Sequence, residues 1–152
     1  MSFVITSTEY LVIDNVPLST MAWWSTNLDD LIATSEMRGE DILVPLGDGV
    51  RPQRRRRTVT AATIELAIVG DVGPDGTIIA DPSAGLRQNM ATIAALAEPD
   101  GTAADGTRVA VLHLSGTTRT GPVHVVRVRF ARESPAYATA QMELSLPAGA
   151  LT

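Results

Sequence analysis

The last part of the chain alternates. Between Tyr137 and Leu146 the residues Ala138, Ala140, Met142, Leu144 and Leu146 are apolar, with Thr139, Gln141 and Glu143 between them. Side chains of an extended strand point to opposite faces in turn, so the pattern fits a strand with one face in a core and the other in water. A second alternating run, Val123 to Arg132, precedes it across Glu133-Ser134-Pro135, which reads as a hairpin turn. In that run His124, Val126, Val128 and Phe130 share one face, and Val123, Val125, Arg127 and Arg129 share the other. Two strands joined by a short turn run antiparallel, and a lone hairpin cannot cover its own apolar face. More strands are required.

They are legible upstream. Arg108 to Leu114 reads as a strand closed by a Ser115-Gly116 turn, and from Ala62 the residues Ala62, Ile64, Leu66 and Ile68 alternate with Thr63 and Glu65. "EYLVIDNVPLST" reads as a hairpin in which Asp14-Asn15 turns the chain between Tyr10–Ile13 and Val16, Leu18 and Met21. One segment has helical period: in "DPSAGLRQNMATIAALAEP", Leu86, Met90, Ile93 and Ala97 form a stripe, Asp81 or Ser83 can cap the start, and Pro99 ends it. Asn27 can cap a short turn carrying Leu28, Leu31 and Ile32, while residues 35–57, punctuated by glycine and proline, read as irregular. The order predicts one domain over 1–152 with a long irregular loop at about 35–57. It is mainly β with one helix (α+β): an antiparallel β-sandwich or barrel with a flanking α-helix.

Composition narrows the chemistry. Cysteine is absent, which removes disulfides, thiol nucleophiles and sulfur-based zinc sites. The N-terminus has no basic region before an apolar run, and no stretch approaches the roughly 18 apolar residues of a membrane span. The chain therefore reads as soluble, made in a cytoplasm, with no membrane partner. His113 and His124 lie in strands and Ser115 follows His113, but no nucleophile elbow of the G-x-S-x-G kind is present. A small β-domain enzyme or ligand-binding module using His113, Ser115 and His124 is the alternative of another class; the expectation is no catalysis. "GDVGPDGT" holds Asp71 and Asp75, yet Gly73 breaks the alternation of oxygen ligands that a calcium loop needs, and Pro-Asp-Gly is a turn. No cofactor or metal is expected.

"GVRPQRRRRT" stands apart. All 12 basic residues are arginine, and Arg51, Arg54, Arg55, Arg56 and Arg57 are five of them; without these five, 7 basic residues face 17 acidic ones, a net of −10. A nucleic-acid binder would carry a broader basic face with aromatics for stacking. Arginine suits bidentate pairing with carboxylates, which this chain has in abundance. Consecutive arginines on an extended segment point both ways, so a ribbon reachable from both faces fits a self-association contact; a merely solvated charge run is the plain alternative. The two tryptophans, Trp23 and Trp24, are neighbours on one strand, so at most one faces a single core and the other is a candidate interface anchor.

The short opening hairpin "YLVIDNVPL" leads the series. "RGEDILVPLGDGVRPQRRRRTVTAATIELAIVGD" runs from a glycine-containing loop through arginines into a threonine-rich strand. The helix "DPSAGLRQNMATIAAL" and the closing strands "TRVAVLHL" and "GPVHVVRVRFARESPAYATAQMELSLPAG" complete it. Together they resemble siphophage tail proteins, above all the N-terminal domain of the distal tail family and its tail-tube relatives, and the short tail and connector proteins of phages infecting actinobacteria. The resemblance covers most of the chain. It implies a structural virion protein of the tail, assembled in the host cytoplasm as a ring, commonly a hexamer, around a channel that DNA traverses without specific binding. Such a ring joins neighbouring tail or connector proteins. The same fold serves as tail terminator and head-to-tail connector. Distal tail proteins often carry a second, carbohydrate-binding-like domain, for which this chain leaves no room after "LSLPAGALT".

Overall fold

The computed structural model describes residues 3–32, 37–38, 42–43, 50–51, 56–57, 60–98 and 106–152. Among these, seven strands form one antiparallel sheet. They are β1 (Tyr10–Ile13), β2 (Val16–Pro17), β3 (Trp23–Ser25), β8 (Thr60–Val69), β9 (Arg108–Leu114), β10 (Thr117–Ser134) and β11 (Tyr137–Leu146), in the spatial order β2-β1-β9-β10-β11-β8-β3. Asp14 and Asn15 both adopt positive φ (46° and 65°), the left-handed pair that a tight β1–β2 turn needs.

The sheet curls until its edges meet. Residues after β2 turn back on β3: the Thr20 amide donates to the Trp23 carbonyl at 2.6 Å and the Ser25 amide to the Leu18 carbonyl at 2.9 Å. The enclosed face carries Leu11, Leu18, Trp23, Ile64, Leu112 and Met142, all fully buried. This is the barrel-like, mainly β architecture with a flanking helix that the alternation predicts.

The long strand β10 belongs to two ladders. Thr117 to Val123 pair with β9, and His124 to Ser134 pair with β11. Where β9 leaves off, the helix α2 (Pro82–Ala94) and its 3₁₀ extension (Ala95–Ala97) run beside β10. Arg132 Nη2 reaches Ser83 Oγ at 3.0 Å at one end, and at the other Leu96 and Ala97 line a small cleft with His124 and Val125. Asp81 caps α2, its Oδ1 accepting from the Ser83 and Ala84 amides (3.1 and 3.3 Å). Leu86 and Ile93 of the expected stripe are buried, while Met90 and Ala97 are partly buried. The helix approaches the end of β8 closely: a Cβ on Gly85 would lie 2.1 Å from the Gly70 carbonyl oxygen, so this crossing admits no side chain. Arg108 fixes the far end, its guanidinium meeting the Glu98 carbonyl at 2.6 Å, the Ala95 carbonyl at 3.3 Å and Asp14 Oδ2 at 2.8 Å. A cation there also suits the negative end of the helix.

Three expectations are corrected. The strand read as Val123 to Arg132 begins at Thr117, because the turn after β9 is only Ser115-Gly116 and pairing resumes at once. The alternation within it breaks at Val126: Val125 pairs with Leu144 and Arg127 with Glu143, so Val126 is an extra residue, a bulge, and it is 60% exposed. The inward row is therefore Val123, Val125, Val128 and Phe130, and Arg127 points opposite to Val125. Third, the stretch read as irregular contains antiparallel pairs wherever it is described: β4 (Met37–Arg38) with β7 (Arg56–Arg57), and β5 (Ile42–Leu43) with β6 (Val50–Arg51). The short helical turn α1 (Asp29–Ile32) follows Asn27, whose Oδ1 accepts the Asp29 amide at 3.0 Å, and Asp30 Oδ2 accepts the Thr63 amide at 3.1 Å.

Candidate interaction surface

The outward face of β8, β11 and β10 is a grid set by register. Thr63, Glu143 and Arg127 form one row; Glu65, Gln141 and Arg129 the next; Ala67, Thr139 and Ala131 the third, which Trp24 of β3 extends beside Ala67. Strands about 4.8 Å apart put the outer members of a row about 10 Å from each other. The first row is internally satisfied. Arg127 Nε and Nη2 meet Glu143 Oε2 and Oε1 at 2.7 and 3.0 Å, a two-point pair that raises the Arg127 pKa and holds the Glu143 carboxyl below its ordinary value, with Arg129 adding to the latter. In the second row Glu65, Gln141 and Arg129 are exposed; Thr26 Oγ1 donates to the Glu65 carbonyl at 3.4 Å, but the side chains of the three make no hydrogen bond or ion pair with any described residue. The third row is small, and between it and the longer side chains lies a cleft of about 510 Å³ bordered by Thr26, Glu65, Arg129, Tyr137 and Gln141.

The tryptophan pair divides. Trp23 is fully buried, its indole Nε1 donating to the Pro17 carbonyl at 2.9 Å and its ring edge-on to Phe3 with centroids 6.3 Å apart. It is a core residue, and as an interface candidate it is corrected. Trp24 is 37% exposed on the outer face. The backbones of Arg56 and Arg57 pair with Arg38 and Met37, and that of Arg51 with Ile42; Arg54 and Arg55 lie outside the described residues.

The histidines do not converge. His113 stacks on Tyr10 with centroids 4.5 Å apart and pairs with Thr118 of β10. His124 lies six residues further along the same strand, about 20 Å away, too far to share a substrate atom with His113 and Ser115. Among the described residues, no three His, Asp or Glu side chains cluster to hold a metal ion. In "GDVGPDGT" the Asp75 carboxylate is occupied by the turn itself, accepting the Thr77 amide at 3.1 Å, which lowers its pKa.

Sequence reasoning names Arg127, Arg129, Gln141 and Glu143 as strand-face residues but does not single out the Glu65–Gln141–Arg129 row. Its signal, polar side chains at every second position, is present in each strand; the register that aligns the three strands is not.

No protein-family model matches the chain, and no curated protein matches it in sequence. A solved structure is similar in fold. The fold is similar to that of SPP1 Dit. That crystal structure is described as a paradigm of the hub adsorption apparatus in phages infecting Gram-positive bacteria; it superposes with a TM-score of 0.59 at 9% identity over 94% of this chain. The likeness to Dit spans 51% of the Dit chain, so the protein here corresponds to about half of that length. At this identity the likeness is one of fold.

Proposed function

We propose that this chain is a structural component of a phage tail, a ring-forming protein of the distal or minor tail type. In this reading copies, six in the commonest arrangement, surround a channel for DNA, join the layers above and below, and catalyse no reaction. The observation that carries the reading is the similarity to SPP1 Dit over nearly the whole chain. One feature agrees with it: His124 lies far from His113 and Ser115, so the chemistry-bearing residues do not come together. The arginines Arg51 and Arg54 to Arg57 are assigned to contacts with carboxylates of a neighbouring subunit or layer. A role as tail terminator or head-to-tail connector uses the same assembly at another level of the particle.

Electron microscopy of the purified chain is the test. Rings with a central channel are expected at low salt, and replacing Arg54, Arg55, Arg56 and Arg57 together with Ser should leave the subunit folded but deplete the rings, as raised salt should in the wild type. Only single subunits or pairs under every condition would overturn the ring; normal rings from the quadruple variant at low and high salt would remove the arginines from the contact.

A further inference from the structure

We infer that the outer face of β8, β11 and β10 is a two-fold, self-complementary contact that pairs two copies of this chain. The inference does not depend on the tail reading. In the row Glu65–Gln141–Arg129 an uncharged residue sits on the central strand, an acid one strand to one side and a base one strand to the other. A half-turn about an axis running along β11, in the plane between two facing molecules, carries β10 of one copy over β8 of the other. Arg129 then faces Glu65 of the second copy, and Glu65 faces its Arg129, in one operation. Gln141 meets Gln141 near the axis.

The rows on either side accept this pairing. Arg127 and Glu143 are already joined within each copy, so each brings a neutralised row to the interface. The row Ala67–Thr139–Ala131 has small side chains that let the faces approach, and Tyr137, next on the central strand, borders the cleft above it. Trp24, partly exposed at the end of that row, lies over the flank of β10 in the other copy. A two-fold contact uses the same patch twice, which is what a row with opposite charges at equal distances from a neutral centre provides. A head-to-tail contact through the same charges would satisfy one pair per interface and leave the other acid and base unmatched. The contact rests on one pair of exposed charges repeated twice, each worth little in water, so the pairing is weak and shows only at high protein concentration.

Sedimentation of the full chain across about 1 µM to 1 mM tests it. The wild type should show a concentration-dependent two-fold step, monomer to dimer or, where rings form, ring to paired ring. Glu65→Arg and Arg129→Glu should each weaken the dimer at least tenfold, because each replaces two attractive contacts with two repulsive ones, and the double reversal should restore it to within about threefold. Thr139→Arg, on the small-residue row, should abolish it and keeps the test open if a reversal misfolds by circular dichroism. Since the chain has no cysteine, Gln141→Cys with a short bismaleimide should give a crosslinked dimer, and Thr118→Cys, on the other half of the sheet, should not. A wild type without that step, single reversals without effect, or a double reversal that fails to restore pairing would each overturn the inference. Charge rescue without a crosslink at position 141 would also overturn it, since the contact would then be head-to-tail. Rings seen by microscopy bear on the tail proposal, whereas this pairing is judged by the reversals and the crosslink.

Discussion

Replacing Asn89 should cost more than any other polar change on the helix. Asn89 sits on α2 at 2% exposure, and its Nδ2 donates to the Val69 carbonyl at 2.7 Å and the Val72 carbonyl at 3.1 Å, tying the helix to the end of β8 and the turn after it. Asn89→Ala removes both donors and strands two acceptors. At about 1 kcal/mol of net worth per bond, and up to 1–3 kcal/mol when a buried group is left unmatched, the loss is about 2–4 kcal/mol. That is a large part of the 5–15 kcal/mol by which domains are usually stable. In a chain of this size it corresponds to a fall in Tm of about 4–16 °C. Asn89→Asp should be worse at neutral pH, because an anion would face two carbonyl oxygens with no cation beside it. Burial and those oxygens raise the folded-state pKa of the introduced acid above its unfolded value, so its deficit should shrink as pH falls through the folded pKa and the neutral acid donates one bond. Urea unfolding followed by tryptophan fluorescence at pH 5 and pH 8 reads both effects, with the exposed neighbour Gln88→Ala as control. If Asn89→Ala and Gln88→Ala unfold at the same midpoint, the two bonds do not hold the helix and the argument fails.

Gly85→Ala should prevent normal packing of α2, since the new methyl would meet the Gly70 carbonyl at 2.1 Å; an unchanged melting curve would refute the close crossing. Ile93→Asp, which puts a carboxylate into the core that Ile93 fills, should leave the chain insoluble or unfolded by circular dichroism. Side-chain carboxyl NMR should find Glu143 titrating below an ordinary glutamate, and Arg127→Gln should return it toward normal. Because that folded-state pKa is depressed, the pair stabilises the fold above the unfolded glutamate pKa and the contribution disappears as pH falls through the folded one; the pair is exposed, so the effect should be small and salt-sensitive. His113→Gln and His124→Gln should leave particle incorporation or self-assembly near wild type, and loss of a hydrolytic activity in either, with assembly intact, would favour an enzyme.

What could be read in advance depended on how local the cause was. The Asp14-Asn15 turn, the Asp81 cap and the strand Tyr137–Leu146 are written in adjacent residues, and the structure holds them as read. The Val126 bulge was not legible, because an inserted residue leaves the apolar count of a strand unchanged and shows only against its partner. The burial of Asn89 was not legible either, since a buried amide is recognisable only once the carbonyls it serves are in place. Which tryptophan faces inward depended on β3 pairing with β8, some forty residues away in sequence. For the same reason the Glu65–Gln141–Arg129 row joins three strands that no local pattern aligns.

The position of β1 has a consequence for how the chain emerges from a ribosome. β9, β10 and β11 follow one another and can zip as soon as they are made, but Tyr10 pairs with His113 and Ile13 with Ala110. The opening strand must therefore wait for about a hundred further residues before its partner exists. β8 waits as well, for β11. During synthesis both present unpaired backbone and apolar faces, the kind of surface that joins strands of other chains on the same messenger. Non-local closure of this sort is slow once the loop entropy is counted. Translation rate and chaperone supply would then set the yield of folded chains more than the stability of the finished barrel.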